Sequence, residues 1–121
     1  MIGIELAEML RSRDIPVTML VRESNFWNNV LPDEEAQMLN GHIREHHIDL
    51  RLEKNLDSII DDGHGKVKAI KVKETDEIIN CDYVGLTPGV SPNISFLKNS
   101  GIEIDRGVVV NRNLQTNYEH I

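Results

Sequence analysis

The sequence predicts an α/β domain: a parallel sheet with an antiparallel β-meander as a crossover, its first strand missing from the chain. Three observations predict it. Apolar residues recur at helical spacing from Ile2, and two short apolar runs of strand character stand at Val17 to Val21 and Tyr83 to Leu86. Between those runs lie three extended segments separated by turn residues.

The first element is a helix of about three turns, marked by Ile2, Leu6, Met9 and Leu10 and ending at Arg11-Ser12-Arg13-Asp14. Pro16 punctuates the chain. Val17-Thr18-Met19-Leu20-Val21 then has the β-branched, apolar character of a buried parallel strand. Asn25 to Pro32 shows no period of either kind, and Pro32-Asp33-Glu34-Glu35 places acids in the first turn of a second helix, where they suit the helix dipole. That helix is expected from Asp33 to about His46, with Ala36, Leu39, His42 and Ile43 along one stripe. Ile48 to Leu52 follows as a short strand.

The middle of the chain changes character. Leu56 to Ile60, Val67 to Val72 and Ile78 to Cys81 are separated by Asp61-Asp62-Gly63-His64-Gly65 and by Glu74-Thr75-Asp76, which makes a three-stranded antiparallel meander. Val67, Ile70 and Val72 do not alternate strictly, so the register stays open. Tyr83-Val84-Gly85-Leu86 is expected to be another buried strand, leading into Thr87-Pro88-Gly89-Val90-Ser91-Pro92-Asn93, a loop that two prolines keep from being helical. Ile94 to Asn99 is expected as a short helix closed by Ser100-Gly101, and Gly107 to Asn111 as a last strand. With no repeat, low-complexity tract or linker, residues 1–121 count as one domain.

Composition narrows the function. The 121 residues are 40% apolar and carry a net charge of -7, and no Lys or Arg cluster offers a face to a polyanion, which argues against nucleic acid as a partner. No apolar run approaches the roughly 20 residues that span a bilayer, and no leader of charged then apolar residues is present, so no membrane partner is expected and the default location is cytoplasmic. One cysteine, Cys81, can form no internal disulfide; it is expected as a small buried residue at a strand. His46-His47 lies at a helix end. Adjacent helical positions face different ways, so dipole contact is favoured over chelation and no metal site is expected.

Helix, buried strand, helix, strand, meander, buried strand is most of a Rossmann-like βαβ dinucleotide-binding unit. In that unit G-x-G-x-x-G joins the first strand to the first helix, and its last glycine allows close helix packing. Gly3 stands where that last glycine would be, so the chain opens on a phosphate-binding helix without the strand and glycines in front of it. A helix packing contact is the plainer account of Gly3 taken alone.

Ile2-Gly3-Ile4-Glu5-Leu6-Ala7, then Val17-Thr18 some ten residues on, then Leu86-Thr87-Pro88-Gly89-Val90-Ser91-Pro92-Asn93, resembles the nicotinamide-cofactor domain of the FAD-dependent pyridine nucleotide-disulfide oxidoreductases. The similarity spans essentially the whole chain, meander included. Val90, where the disulfide reductases usually hold Arg, points to the NADH oxidase, ferredoxin reductase and nitrite reductase branch. The resemblance implies that Gly3 and Ile4 lie beneath the pyrophosphate and that Glu5 meets the nicotinamide carboxamide. It also implies that Pro88 and Gly89 line the far side of the cleft. For Glu5 the competing account is an acid favouring the helix dipole, worth roughly 0.3–1 kcal/mol, and for Gly89 an ordinary turn glycine.

Cofactor choice is set at the end of the strand Val17 to Val21, where an acid bonds the ribose hydroxyls of NADH and arginines accept the extra phosphate of NADPH. Val21 occupies the acid's place. Arg22 matches an arginine of NADPH-using relatives, but Asn28 stands where a second would be and Glu23 would repel a phosphate. The balance leans slightly to NADPH, and a solvated surface pair is the plain account of Arg22 and Glu23.

The resemblance also names what is absent. The flavin domain, with its redox cysteine and its acidic Gly-Asp motif, is not in this sequence, so FAD belongs to the parent only, Cys81 is not a redox residue and no catalytic residue is expected. The chain therefore looks like the excised central domain of a flavoenzyme, presenting NAD(P)H to a flavin held by a missing FAD domain and inactive alone. The alternative is a stand-alone remnant that acts as an interaction or scaffold module without cofactor. Phe26 and Trp27 either pack at the sheet edge or meet another domain, exposure favouring the second. Because the absent strand would lie between the strands at Val17 and Tyr83, the gap is expected to close by rearrangement, by a partner chain or by added tag residues, and an edge left bare would favour self-association.

Overall fold

The computed structural model describes residues 2–121, which form two compact units, one ending at Thr87 and one spanning Pro88–Ile121. The first contains α1 (Ile2–Arg11), β1 (Val17–Val21), α2 (Asp33–Glu45), β2 (Ile48–Leu52), β3 (Leu56–Asp61), β4 (Val67–Val72) and β5 (Ile78–Asn80). β1 and β2 pair in parallel, Val17 opposite Ile48 through Val21 opposite Leu52. β3, β4 and β5 form a separate antiparallel sheet in that order, with register irregularities on β3 between Leu56 and Ser58 and between Ile60 and Asp61. This parallel sheet with an antiparallel meander is the expected Rossmann-like α/β class.

Each helix ends where a residue takes the left-handed conformation. After α1, Asp14 has φ +58 and the Ile15 N–H donates to the Leu10 carbonyl at 3.1 Å; after α2, His47 has φ +60 and its N–H donates to the Arg44 carbonyl at 2.9 Å. α2 begins at Pro32 without a side-chain cap, and Asp33, Glu34 and Glu35 supply negative charge to its first turn instead. Both helices cover the same face of the small parallel sheet. Ala7, Ile43, Ile48 and Leu50 are the buried centre, with Ile4, Val17, Met19, Val21, Phe26, Leu39 and Leu52 packed around them. Side chains at alternate strand positions share a face, so Val17, Met19 and Val21 point into this core while Thr18 and Leu20 point away.

Several expectations change at this level. The buried stripe of α2 runs through Ala36, Asn40 and Ile43, and His42 is exposed, because i, i+4, i+7 spacing from Ala36 selects Asn40 rather than His42. Tyr83 to Leu86 is not a buried strand. Tyr83 is 79% and Leu86 67% exposed, and no backbone hydrogen bond reaches this run among the described residues. An extended segment becomes a strand only through bonds to a neighbour, and none lies beside it. The gap beside β1 is therefore not closed by rearrangement. Cys81 is half-buried just after β5, its N–H donating to the Lys68 carbonyl at 3.1 Å.

In the second unit Ser95–Leu97 is a single 3-10 turn in place of the expected helix. The expected strand Gly107 to Asn111 is reduced to one bridge between Ile104 and Val108, and Val108, Val109 and Val110 stay partly exposed for want of a sheet to join. Asn117 ties this unit together, its side chain accepting from the Glu103 N–H at 3.0 Å and donating to the Gly101 carbonyl at 2.9 Å.

Candidate functional site

The first unit brings two sets of the expected residues to one end. α1 has ten residues, or about 15 Å, and β1 has five, or about 16 Å. A short turn reverses the chain between them, and the helix packs on the strand. The start of α1, with Gly3, Ile4 and Glu5, therefore lies on the same side as the exit of β1, with Val21, Arg22 and Glu23.

α1 also runs antiparallel to the extended segment ending at Thr87. A Cβ on Gly3 would stand 2.7 Å from Thr87 Oγ1, and one on Gly85 would stand 3.3 Å from Leu6 Cδ2. Gly3 thus packs closely on Thr87, and a side chain there would force the Thr87 hydroxyl to move. Ile4 packs on the core, while Glu5 is exposed on the first turn, where the helix leaves its leading amides without intrahelical partners.

At the exit of β1 the backbone is pinned on the loop that follows β2. The Val21 carbonyl accepts from the Lys54 N–H at 3.0 Å, and the Glu23 carbonyl from the Glu53 N–H at 3.1 Å. Arg22 Nε donates to Glu23 Oε1 at 2.7 Å, with the two side chains 72% and 39% exposed. This hydrogen bond is the main influence that holds the Glu23 carboxyl below its usual range and raises the Arg22 guanidinium. Glu23 partly offsets the charge of Arg22, whose side chain is nonetheless 72% exposed.

Pro88 and Gly89 belong to the second unit. Gly89 has φ +103, which by itself calls for glycine, and nothing lies within 4 Å of a Cβ built there. Phe26 packs on the core and stacks on Trp27 with ring centres 5.6 Å apart, and both side chains are partly buried. Sequence reasoning passed over Asn40. Its signal was a polar residue on the buried stripe of α2, four positions after Ala36.

The family model of the pyridine nucleotide-disulphide oxidoreductases matches residues 1–121. The chain belongs to the pyridine nucleotide-disulphide oxidoreductase family. Among curated members it is 26% identical over 121 residues to the nitrite reductase [NAD(P)H] of Bacillus subtilis, covering 100% of this chain and 15% of that protein. It is 28% identical to the NADH oxidase of Methanocaldococcus jannaschii, covering 99% of this chain and 26% of that one. A ferredoxin reductase of Rhodopseudomonas palustris shares the fold of this chain at a TM-score of 0.84 and 21% identity, over 96% of this chain and 28% of the other. The chain thus spans well under a third of the length of these relatives.

The residues at the shared end fit a dinucleotide in kind. They combine a helix start at Gly3 and Ile4, an exposed carboxylate at Glu5 and a paired cation and anion at the strand exit.

Proposed function

We propose that this chain is an NAD(P)H-binding domain that presents the nicotinamide for hydride transfer to a flavin held by another domain of its parent. The observation that supports it most strongly is the convergence of Gly3, Ile4 and Glu5 with Val21, Arg22 and Glu23 at one end of the first unit. In open α/β sheets the carboxyl ends of the strands are where ligands bind. In this reading Gly3 and Ile4 underlie the pyrophosphate, Glu5 meets the carboxamide, and the β1 exit takes the adenosine ribose. NAD(P)H would supply the hydride and FAD would accept it; this chain's own residues bind and orient, and none of them is catalytic.

The slight lean to NADPH that Arg22 suggests is offset by its pairing with Glu23, so we propose weak discrimination between the two dinucleotides. Isothermal titration with NADH and NADPH tests the whole reading. Binding in the millimolar range or tighter supports it, and silence from a folded chain removes it.

A second reading rests on one edge of β1 and on the run before Thr87, neither of which has a strand partner among the described residues. Both leave backbone groups open to another strand, and self-association through them, or a cofactor-free interaction role, would follow. Sedimentation across a range of concentrations decides this, a strictly monomeric chain ending the idea. A cytoplasmic location is proposed with either reading.

A further inference from the structure

Asn40 is the one polar residue in the buried set of the described chain, 3% exposed on the apolar stripe of α2. Both ends of its side chain are committed, and both to the same loop. Asn40 Oδ1 accepts from the Phe26 N–H at 3.0 Å, and Asn40 Nδ2 donates to Asn25 Oδ1 at 2.8 Å. A buried amide on a helix stripe is costly unless fully bonded, so its partners define what it is there for. The loop in question, residues 22–31, leaves β1 carrying Arg22 and Glu23 and has no regular structure of its own.

The loop needs such a hold. Trp27 sits at φ +61, a conformation that a bulky side chain adopts only when its surroundings impose it. The Val30 and Leu31 N–H groups both donate to the Trp27 carbonyl at 2.9 Å, and the Trp27 ring stacks on Phe26, whose own N–H is the one Asn40 holds. The bonds to Lys54 and Glu53 fix the loop where it leaves the strand, and Asn40 fixes its middle.

We infer that Asn40 is a positioning residue for the adenosine end of the dinucleotide, bracing the loop 22–31 so that Arg22 and Glu23 meet the ribose in a set geometry. This rests on the dinucleotide-binding role proposed above. Asn40 touches no ligand itself; it acts through Asn25 and Phe26.

The test compares the full chain with Asn40→Leu, which fills similar space and makes neither bond, and with Asn40→Asp, which keeps the acceptor for Phe26 and can take a hydrogen bond from the Asn25 amide. Trp27 is the only tryptophan in the sequence, so its emission and anisotropy report the loop directly. Binding of NADH and of NADPH is titrated well below the unfolding temperature of each variant.

For Asn40→Leu the expected result is a red-shifted, more mobile Trp27 and affinity for both dinucleotides lowered about tenfold, with Asn40→Asp recovering most of it. If Asn40→Leu leaves Trp27 emission and affinity unchanged, or if Asn40→Asp loses as much as Asn40→Leu, the bracing role is overturned. Should Asn40→Leu fail to fold, Asn25→Ala on the loop side removes one of the two bonds and must shift Trp27 and affinity in the same direction; no shift overturns the role. Silence of the unsubstituted chain toward both dinucleotides overturns the binding reading and this role with it. Binding by the unsubstituted chain with unaltered binding by Asn40→Leu overturns this role alone.

Discussion

Thr87 Oγ1 lies 2.7 Å from the place a Cβ on Gly3 would occupy, so the first turn of α1 and the end of the Tyr83–Thr87 run approach each other as closely as a glycine permits. The only other Thr87 atom near that place is its Cβ, at 3.6 Å, an ordinary contact. Gly3→Ala is therefore expected to cost about 1–3 kcal/mol of unfolding free energy by overpacking. In a Thr87→Ala background the same change is expected to be neutral or stabilising, since alanine is the better helix former. Denaturant unfolding of the four chains in this cycle measures the coupling, and additive effects would refute the contact.

The pairing of Arg22 with Glu23 makes an opposite pair of expectations for cofactor preference. Glu23→Gln frees the guanidinium and is expected to raise affinity for NADPH over NADH by about two- to fivefold, a modest change because the pair is solvent-screened. Arg22→Ala leaves Glu23 facing the phosphate and is expected to shift preference toward NADH. Titrations with both dinucleotides check it, and a ratio that ignores both substitutions would detach this pair from cofactor choice.

The turn between β3 and β4 is held by Asp62, whose side chain accepts from the His64 N–H at 2.8 Å and the Lys66 N–H at 3.1 Å. These bonds, that from His64 foremost, keep the carboxyl below the ordinary aspartate range. A depressed folded value contributes stability that is present above the unfolded value and lost as pH falls through the folded one. Asp62→Ala is expected to lower the melting temperature at pH 7, and the gap between it and the unsubstituted chain should narrow on acidification below the ordinary aspartate range. Scans at several pH values read this directly, and a gap independent of pH would count against the carboxylate's role.

Burial, followed by the charge of Asp82, pushes the Cys81 thiol above its ordinary range. Since the thiolate is the reactive form, Cys81 is expected to alkylate more slowly than an exposed cysteine near neutral pH and to catch up only as pH rises or the chain unfolds. Mass spectrometry after timed iodoacetamide treatment follows this, and rapid labelling of the folded chain at neutral pH would show the thiol to be free.

β1 has β2 on one side and no partner among the described residues on the other. If two copies join there, Leu20→Lys should weaken the association, because Leu20 lies on the face away from the core and a lysine beside an open edge discourages pairing. Sedimentation of both chains tests the effect, and equal behaviour would place any association elsewhere.

What the sequence determined by itself was local in origin. The 3.6-residue spacing from Ile2 marked α1, the acids after Pro32 marked the start of α2, and the β-branched run at Val17 and the turn residues around Gly63 marked strand and meander, because each signal resides in neighbouring residues. The motif at Gly3 and Glu5, with Gly89 to Asn93 far behind it, pointed to the family. Tertiary structure decided everything that depends on a partner distant in the chain. Tyr83 to Leu86 has strand composition but no neighbour to bond, so it stays unpaired. Asn40 carried no signal beyond its place on α2; folding buried it and gave both of its ends to one loop, a pairing no local pattern encodes because the groups it joins lie 14 and 15 residues away.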